Sequence, residues 1–433
     1  MNRRVLRAMD TGSGSAALWS AALAGALDGS GPALTPLPTG PAAVRQALLD
    51  AFRPADAEAP LESDAIALVV PTSGSTGEPK GALLTAAALR DSAGATHARL
   101  GGPGRWVLAL PLTHVAGLMV VVRSLETGQV PDEVDLTDGF DPVGFAAVTA
   151  AAAQAAAADA QPLYTSLVPT QLRRLLDAGV NLAGYAAILV GAAATPAPLL
   201  EQARDGGARV VTTYGMSETC GGCVYDGVPL DGAAFDLDPE GRVLLAGRTL
   251  FAGYRLRPDL TAAATDDAGR FLTGDLGDLG RDGRLRILGR ADEVIVSGGE
   301  NVAPAQVEAA VAAIPGVRAC AVVGVPDDEW GEAVVALVVL EPAADPSPGP
   351  APSFDLETLR SATAGRLPPA WRPRRLVLLA TIPMLATGKP DRSALRDLAA
   401  RDSASGSRPV PSTDPPTDPP TDRPSAPSAA QEL

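Results

Sequence analysis

Aromatic residues and cysteines are scarce in this sequence of 433 residues. Phe, Trp and Tyr together make up 4% of it, so a core must be built mainly from Ala, Val and Leu. The three cysteines are too few to form a disulfide framework for a chain of this length, and their odd number favours a reduced, cytoplasmic protein. No apolar run reaches the roughly 18 uncharged residues that a membrane span needs.

Basic residues are also in deficit. The sequence has 35 Lys and Arg against 50 Asp and Glu, which gives a formal net charge of −15. Affinity for nucleic acids comes largely from clustered cations that displace the counterions of phosphates. The charge balance therefore argues against a nucleic-acid partner.

The N-terminal segment has two interpretations. Arg3, Arg4 and Arg7 precede an apolar run at residues 16–27, an order that resembles a signal peptide, but Asp10 and Ser20 interrupt it. The alternative is a surface helix. Residues 28–63 are rich in Pro, Gly and Asp, which predicts a loosely packed segment before the regular core.

The apolar pattern predicts an α/β fold. Short continuous apolar runs at residues 65–70, 187–190 and 209–212 alternate with helical patterns, which indicates mostly parallel, helix-flanked sheets. Asp141 and Pro142 form an N-cap and first-turn proline for an Ala-rich helix. From about residue 241, turn dipeptides separate short alternating strands, the pattern of a small antiparallel, β-rich subdomain.

These patterns divide the chain into three parts. We predict a large N-terminal domain of several subdomains at residues 1–290 and a small, mobile α+β domain at residues 291–400. Residues 401–433 repeat Thr, Asp and Pro without apolar periodicity, which predicts a disordered tail.

Residues 71–81 form a loop rich in Gly, Ser and Thr between two apolar runs. Glycines let backbone N–H groups converge on an anion, and hydroxyl groups and one ammonium add further donors. Lys80 follows Pro79 and leads into a strand, so the loop is not a Walker A motif; a plain Ser/Gly turn is the other interpretation. The candidate phosphate ligands are Thr72, Ser73, Gly74, Ser75, Thr76, Gly77 and Lys80.

This loop resembles the phosphate loop of the adenylate-forming superfamily, which includes acyl-CoA synthetases, peptide-synthetase adenylation domains and luciferases. Five further signatures of that superfamily follow in order: Tyr214-Gly-Met-Ser-Glu218-Thr, Thr273-Gly-Asp275, Gly289-Arg290-Ala-Asp292, Ser297-Gly-Gly-Glu-Asn301 and Thr387-Gly-Lys389. The resemblance implies an enzyme that uses ATP, Mg²⁺ and coenzyme A (CoA), with a homodimer as one option.

The resemblance implies roles for five nucleotide-site residues. Tyr214 lies against the adenine, Asp275 accepts hydrogen bonds from the ribose hydroxyls, and Arg290 contacts the nucleotide. Ser217 reaches the α-phosphate, and Glu218 binds Mg²⁺, a hard cation that prefers oxygen ligands. Without the resemblance, Asp275 and Arg290 would be ordinary turn or hairpin charges.

Four residues are implied to act through the small domain. Lys389 neutralises the charge that develops between the carboxylate and the α-phosphate; by itself the spacing also allows a solvated surface lysine. Asp292 matches the hinge about which the small domain turns between the two half-reactions. Gly298 and Gly299 fit a loop whose backbone approaches the pantetheine arm of CoA.

The acid substrate is indicated less directly. Residues 111–124 form an apolar run with two polar exceptions, His114 and Arg123. A buried arginine is costly unless it is paired, so Arg123 faces either a substrate carboxylate or an internal one such as that of Glu126. His114 either borders the carboxylate pocket or is a core histidine.

Within the superfamily, these segments resemble the o-succinylbenzoate:CoA ligases of menaquinone biosynthesis. That resemblance implies that His114, Arg123 and Gly191 bind the acid, with Arg123 on its second carboxylate. Two departures are Ala192, where a second glycine is common, and the short stretch of 70 residues before the phosphate loop. The alternatives are a synthetase for another aryl or short acid, or a non-catalytic nucleotide-binding protein.

Cys220 and Cys223 have the spacing of a metal or redox pair. Zinc takes four ligands, and the sequence has no second pair of this kind. The other interpretation is that both are small residues beside the acyl pocket.

Overall fold

The computed structural model describes residues 4–12, 14–73, 79–341, 354–384 and 390–404. Its first sheet has the strand order β1-β2-β3-β4; the pairs β1–β2 and β2–β3 are parallel, and β3 and β4 form an antiparallel hairpin. The elements of this part are β1 (Leu6–Asp10), α1 (Ala16–Asp28), β2 (Ala33–Leu37), α2 (Ala42–Phe52), β3 (Ile66–Ser73), β4 (Pro79–Thr85) and α3 (Ala86–Leu100).

One expectation for the N-terminal part is wrong. Helix α1 is a surface helix with one buried face: Trp19 and Leu23 are fully buried in the core between the first two sheets, whereas Leu18 is 69% exposed. Residues 28–63, by contrast, are not loosely packed throughout: all five residues of β2 are buried, and Phe52 of α2 is 1% exposed. Pairing with a neighbouring strand buries β2 although Pro and Gly surround it in the sequence.

The second sheet has seven strands in the order β11-β10-β9-β8-β7-β5-β6. Strands β5 to β9 are parallel, as predicted, and β10 and β11 add an antiparallel edge. The elements are β5 (Arg105–Leu108), α4 (Val115–Leu125), β6 (Asp132–Glu133), α5 (Pro142–Ala158), β7 (Leu163–Leu167), α6 (Pro169–Asp177), β8 (Ala187–Val190), α7 (Ala197–Asp205), β9 (Val210–Met216), β10 (Gly221–Tyr225) and β11 (Val228–Pro229).

The two sheets stack with helices between them and outside them. Helices α1, α3 and α4 fill the central layer, α5 to α7 cover the outer face of the second sheet, and α2 covers the outer face of the first. Asp141 caps α5, since its carboxylate accepts hydrogen bonds from the backbone N–H groups of Val143 and Gly144. Residues 118–122 of α4 are 0% exposed; a helix that is apolar on every side must be buried on every side.

The third sheet is antiparallel and follows the strand order β12-β13-β14-β15. Its elements are β12 (Ala233–Leu237), β13 (Arg242–Gly247), α8 (Pro258–Ala263), β14 (Phe271–Leu279) and β15 (Leu285–Arg290). This is the antiparallel subdomain predicted from the turn dipeptides.

The remaining elements form an α+β unit with its own apolar core. Strand β19 pairs with β16, β18 and β20, and β17 completes the sheet. The elements are β16 (Ile295–Ser297), β17 (Glu300–Val302), α9 (Pro304–Ala312), β18 (Val317–Asp327), β19 (Gly331–Leu340), α10 (Leu356–Thr363), β20 (Arg375–Leu378) and α11 (Arg392–Ala404). Helix α11 passes the predicted boundary at residue 400 by four residues; the rest of the predicted tail lies outside the described residues. No helix in the described ranges is long and apolar enough to cross a membrane.

A buried histidine makes the stability of this core depend on pH. His97, near the end of α3, is 6% exposed, and its Nε2 accepts a hydrogen bond from Trp106 Nε1 at 3.2 Å. Burial, together with the nearby Arg123 guanidinium, lowers the pKa of His97 from 6.5 to about 4. The unfolded chain therefore binds a proton below about pH 6.5 that the folded chain takes up only near pH 4.

We expect the free energy of unfolding to fall as the pH decreases from about 6.5 to about 4, with a slope from His97 of up to about 1.4 kcal/mol per pH unit. His97→Gln keeps an acceptor for Trp106 but does not titrate. The free energy of unfolding of this variant should therefore change less steeply with pH, by up to about 1.4 kcal/mol per pH unit. Urea unfolding between pH 4 and 7.5 measures both slopes, with His114 present in both proteins. Equal slopes would show that His97 does not carry the effect.

Candidate active site

The parallel strands of the second sheet end at one common edge. In open parallel sheets, ligands bind at the carboxyl ends of the strands. Gly191 directly follows β8, Tyr214 lies in the last half of the neighbouring β9, and His114 caps the N-terminus of α4 after β5. The fold thus brings these three predicted site residues to the same edge.

A tight turn at the end of β9 carries Ser217 and Glu218. It is a single 3-10 turn, Ser217–Thr219, in which the Thr219 hydroxyl donates to Gly221 O at 2.7 Å and accepts from Met216 N at 2.9 Å. Ser217 is half-buried, whereas Glu218 is 8% exposed. A buried carboxylate at this position supplies the hard oxygen donor that Mg²⁺ requires.

Two hydrogen bonds hold Glu218 from the opposite side. Tyr254 donates its hydroxyl to Glu218 Oε1 at 2.8 Å, and the backbone N–H of Phe251 donates to Glu218 O at 2.8 Å. Burial, and secondarily the Glu218 carboxylate, raises the pKa of Tyr254. The Tyr254 hydroxyl therefore keeps its proton at neutral pH and acts as the donor.

Tyr214, Asp275, Arg290 and Asp292 form one hydrogen-bonded chain. The Tyr214 hydroxyl donates to Asp275 Oδ2 at 2.7 Å, and Arg290 lies 3.5 Å from Asp275 Oδ1. Arg290 also donates to both oxygens of Asp292, at 2.9 and 3.1 Å, and these bonds lower the pKa of Asp292. Burial raises the pKa of Tyr214, and Asp275 adds to the shift. The chain links the predicted adenine and ribose contacts to the predicted hinge residue.

The predicted phosphate loop connects β3 to β4. Thr72 and Lys80 stand opposite each other in the antiparallel register, so the two ends of the loop meet. Both strands contact the turn that carries Glu218. Ser73 ends β3, and Gly74, Ser75, Thr76 and Gly77 lie outside the described residues, as does Lys389.

Gly191 is required by a close backbone approach. A Cβ at this position would lie 2.3 Å from the Thr213 hydroxyl oxygen and 3.0 Å from Thr213 O, closer than carbon and oxygen can come. The next residue, Ala192, has a φ of +66°, a left-handed conformation that glycine adopts at lower cost. Ala192, at a position where a second glycine is common, therefore introduces local backbone strain at the end of β8.

Gly298 and Gly299 form the turn of the β16–β17 hairpin. Their φ values of +61° and +81° match the two-residue hairpin turns in which both central residues need positive φ. Trp330 covers this turn, since a Cβ on Gly298 would lie 2.8 Å from the indole ring. The guanidinium carbon of Arg374 lies 3.3 Å from the centroid of the same ring.

The structure does not bring Arg123 to the other candidate residues. Arg123 follows His114 by nine residues in α4, which is about 13 Å along the helix and on its opposite face. It is 3% exposed and its guanidinium lies 5.1 Å from the centroid of Trp106, which stands near the amino end of β5. Glu126, the suggested internal partner, instead lies 3.6 Å from Arg90. The expected contact of Arg123 with a substrate carboxylate therefore does not fit this position.

Cys220 and Cys223 lie beside the site as buried thiols. Cys220 is 0% exposed and Cys223 is 2% exposed. Burial raises the pKa of both thiols, that of Cys223 to about 11, so both are protonated at neutral pH. Within the described ranges no group of three or more His, Cys, Asp and Glu could hold a metal ion.

Sequence reasoning missed Tyr254 and Trp330. Tyr254 lies between β13 and α8, and Trp330 lies between β18 and β19; neither belongs to a motif or to an apolar periodic run. Their positions depend on contacts with residues 36 and 32 positions away, Glu218 and Gly298, which local sequence patterns do not reveal.

Comparison with known proteins identifies the family. The family described as AMP-binding enzyme matches residues 28–257, and the C-terminal domain of AMP-binding enzymes matches residues 306–389. The chain belongs to the AMP-binding enzyme family. This membership confirms the predicted superfamily and its α/β fold with a large N-terminal and a small C-terminal domain.

Relatives of this AMP-binding enzyme include a probable 2-succinylbenzoate–CoA ligase from Mycobacterium tuberculosis H37Rv. The two are 46% identical over 398 residues, which cover 90% of this chain and 97% of the relative. The solved structure of o-succinylbenzoate CoA synthetase from Bacillus subtilis, in complex with the acyl-adenylate OSB-AMP, is 28% identical with a TM-score of 0.66, over 86% of this chain and 79% of that one. ATP-bound MatB from Rhodopseudomonas palustris shares the fold, with a TM-score of 0.76 and 23% identity over 92% and 89% of the two chains.

The position of Arg123 can be tested by replacing it with methionine. No ion pair among the described residues includes Arg123, and its Nε has no hydrogen-bond partner there. Because a buried, unpaired charge costs more than an apolar side chain of similar length, Arg123→Met should leave the free energy of unfolding unchanged or raise it by about 1 kcal/mol. The KM for the acid should not change.

Arg281→Met, in an exposed turn, removes the same charge and serves as the control. A large rise in the KM for the acid in Arg123→Met alone, with an unchanged KM for ATP, would instead show that Arg123 contacts the substrate carboxylate.

Proposed function

We propose that this AMP-binding enzyme is an ATP-dependent, AMP-forming ligase that converts 2-succinylbenzoate to its CoA thioester in menaquinone biosynthesis. The arrangement that carries the proposal is the meeting of Tyr214, Asp275 and Glu218 at the carboxyl edge of the second sheet. The choice of acid is supported by the mycobacterial relative, which this chain matches over nearly its whole length, and by the Bacillus subtilis synthetase.

The nucleotide fits the hydrogen-bonded chain of Tyr214 and Asp275. The Tyr214 ring would lie against the adenine, and the Asp275 carboxylate, already oriented by the tyrosine hydroxyl, would accept hydrogen bonds from the ribose hydroxyls. Arg290 is pinned between Asp275 and Asp292, which keeps its guanidinium at the rim of this site. Both acceptors and donors are therefore oriented before ATP binds.

The donor chemistry at Glu218 fits magnesium. A buried carboxylate beside the ends of the phosphate loop can hold one coordination position of a Mg²⁺ ion bound to ATP. The ion, when bound, offsets negative charge on the phosphates and makes pyrophosphate a better leaving group. Thr72 and Lys80, at the ends of that loop, would bind the phosphates from the other side.

The proposed reaction has two steps, adenylation of the acid and transfer of the acyl group to CoA. In the first, a carboxylate oxygen of the acid forms a bond to the α-phosphorus while the bond to pyrophosphate breaks, which yields the acyl-adenylate. In the second, the CoA sulfur forms a bond to the acyl carbon, AMP leaves, and the thiol proton is released. Ser217 and Lys389 would stabilise charge on the α-phosphate in the first step.

The acid would approach from the side of the edge formed by His114 and Gly191. His114 occupies the N-cap position of α4 and is half-buried, and the lack of a side chain at Gly191 lets the end of β8 pack directly on β9. Met119, Cys220 and Cys223 are buried, so they pack beneath the surface that the acid would meet.

The second step would use the small domain. We assign Asp292 as the hinge, and the Gly298–Gly299 turn as the place where the pantetheine arm passes. The indole of Trp330 and the guanidinium of Arg374 lie against this turn and offer a stacked, cationic surface for the nucleotide part of CoA. A cytoplasmic location, expected from the few cysteines, and a homodimer also belong to the proposal.

The two lysines of the chain support this assignment. Lys80 and Lys389 are the only lysines in the 433 residues, and both lie in motifs that the proposal places at the phosphates. A compact ammonium on a flexible stem can follow a charge that moves during the reaction, whereas a guanidinium is a rigid, planar donor.

The proposed reaction predicts pyrophosphate exchange into ATP that depends on the acid. With Mg²⁺ present, 2-succinylbenzoate should support exchange at least tenfold faster than benzoate, malonate or a medium-chain fatty acid at equal concentration. Faster exchange with one of the other acids would show that this acid, and not 2-succinylbenzoate, is the substrate. No exchange with any acid would favour a non-catalytic nucleotide-binding protein.

Lys389→Ala provides the internal control. It should reduce the exchange rate by at least a hundredfold, because charge stabilisation at the α-phosphate is lost. Transfer of the acyl group to CoA from a supplied acyl-adenylate should largely survive. Equal loss of both half-reactions would contradict the assignment of Lys389 to the first step.

A further inference from the structure

Tyr254 connects the two charged groups that face the proposed phosphate site. Its hydroxyl donates to Glu218 Oε1 at 2.8 Å, and Lys80 Nζ lies 5.8 Å from the centroid of its ring. Tyr254 and Glu218 are each 8% exposed, so the hydrogen bond between them is shielded from water. One side chain thus contacts both the proposed metal ligand and the lysine of the phosphate loop.

The backbone around Tyr254 is fixed by β4. Leu83 N donates to Gly253 O at 2.9 Å, Ala252 N donates to Leu83 O at 2.8 Å, and Arg255 N donates to Gly81 O at 2.8 Å. These bonds make residues 252–255 a short extension of the first sheet, in register with the strand that carries Lys80. The distance from Tyr254 to Lys80 is therefore set by strand pairing.

Tyr254 is fixed from two further directions, one contact on its ring and one on its backbone. Phe251 meets it edge-on, with ring centroids 4.9 Å apart, and the Thr261 hydroxyl accepts a hydrogen bond from Tyr254 N at 2.8 Å. Phe251 also donates its own N–H to Glu218 O. The tyrosine and the glutamate are thus held relative to each other by backbone as well as side-chain contacts.

We propose that Tyr254 is a positioning residue: its hydroxyl fixes the orientation of the Glu218 carboxylate toward magnesium, and its ring supports the Lys80 ammonium beside the phosphates. A carboxylate held in one rotamer loses less conformational freedom when it binds a cation, and a shielded hydrogen bond to a charged acceptor is among the stronger ones. This inference rests on the proposed function, in which Glu218 binds the metal.

Two variants distinguish the role of the Tyr254 hydroxyl from the role of its ring. Tyr254→Phe removes the hydrogen bond to Glu218 but keeps the ring under Lys80, whereas Tyr254→Leu removes both. Tyr225→Phe is the matched control, because Tyr225 is 1% exposed and its hydroxyl forms a hydrogen bond of 3.0 Å with Thr96 in the core. It loses a buried tyrosine hydrogen bond to a neutral partner, away from the phosphates.

The experiment measures metal binding directly, with Mn²⁺ as a spectroscopic probe. Electron paramagnetic resonance would give the Mn²⁺ dissociation constant in the presence of a non-hydrolysable ATP analogue, alongside the Mg²⁺ dependence of pyrophosphate exchange. Tyr254→Phe should weaken Mn²⁺ binding about five- to tenfold, with exchange recovering at high Mg²⁺, so that kcat is kept. Tyr254→Leu should in addition weaken binding of the analogue measured without metal.

Four results would overturn the proposal. Wild-type Mn²⁺ affinity in Tyr254→Phe contradicts the role of the hydroxyl, and an equal loss in Tyr225→Phe reduces the effect to general destabilisation. Unchanged analogue binding in Tyr254→Leu contradicts the role of the ring. Glu218→Gln tests the metal site itself, separately from the role of Tyr254. If this variant also keeps full Mn²⁺ affinity, Glu218 does not bind the metal, and the Tyr254 proposal fails together with the metal site of the proposed function.

Discussion

The hydrogen bond between Tyr214 and Asp275, which are 61 residues apart in the chain, joins two sheets. Tyr214 belongs to the parallel sheet and Asp275 to the antiparallel one, and both side chains are largely buried at the contact. The bond orients the carboxylate that the proposed function assigns to the ribose. Through Arg290 the same carboxylate is connected to Asp292, where the small domain begins. A ribose bound at Asp275 would therefore compete with Arg290 for this carboxylate, and Arg290 is the side chain that holds Asp292, the proposed hinge residue.

Acidic and basic groups are distributed unequally over this fold. The chain carries an excess of 15 negative charges, and among the described residues most arginines that form ion pairs do so with aspartates at exposed or half-exposed positions. Such surface pairs contribute little to stability. The lysines differ, because both lie in glycine-containing motifs. The cationic groups that a negatively charged nucleotide would meet are thus placed locally, against the overall charge of the molecule.

The sequence predicted the local motifs well and the long-range contacts poorly. Strands at residues 65–70 and 187–190, the cap at Asp141 and the strand after Lys80 all depend on neighbours in the chain, and all are present. Arg123 lies away from the other candidate residues, and the sequence did not predict this because an apolar run does not reveal which helix face points to the site. Residues 28–63 were misjudged because their burial comes from pairing between β1, β2 and β3. Tyr254 was missed because its partner is 36 residues away.

We expect adenine and ribose to bind where Tyr214 meets Asp275, with the phosphates between Glu218 and the β3–β4 hairpin. A crystal structure with a non-hydrolysable analogue of the 2-succinylbenzoyl-adenylate tests this placement most directly. The adenine should lie against Tyr214, both ribose hydroxyls on the Asp275 carboxylate, and the acyl group between His114 and Gly191. An analogue bound elsewhere, with Asp275 still held only by Tyr214 and Arg290, would contradict it.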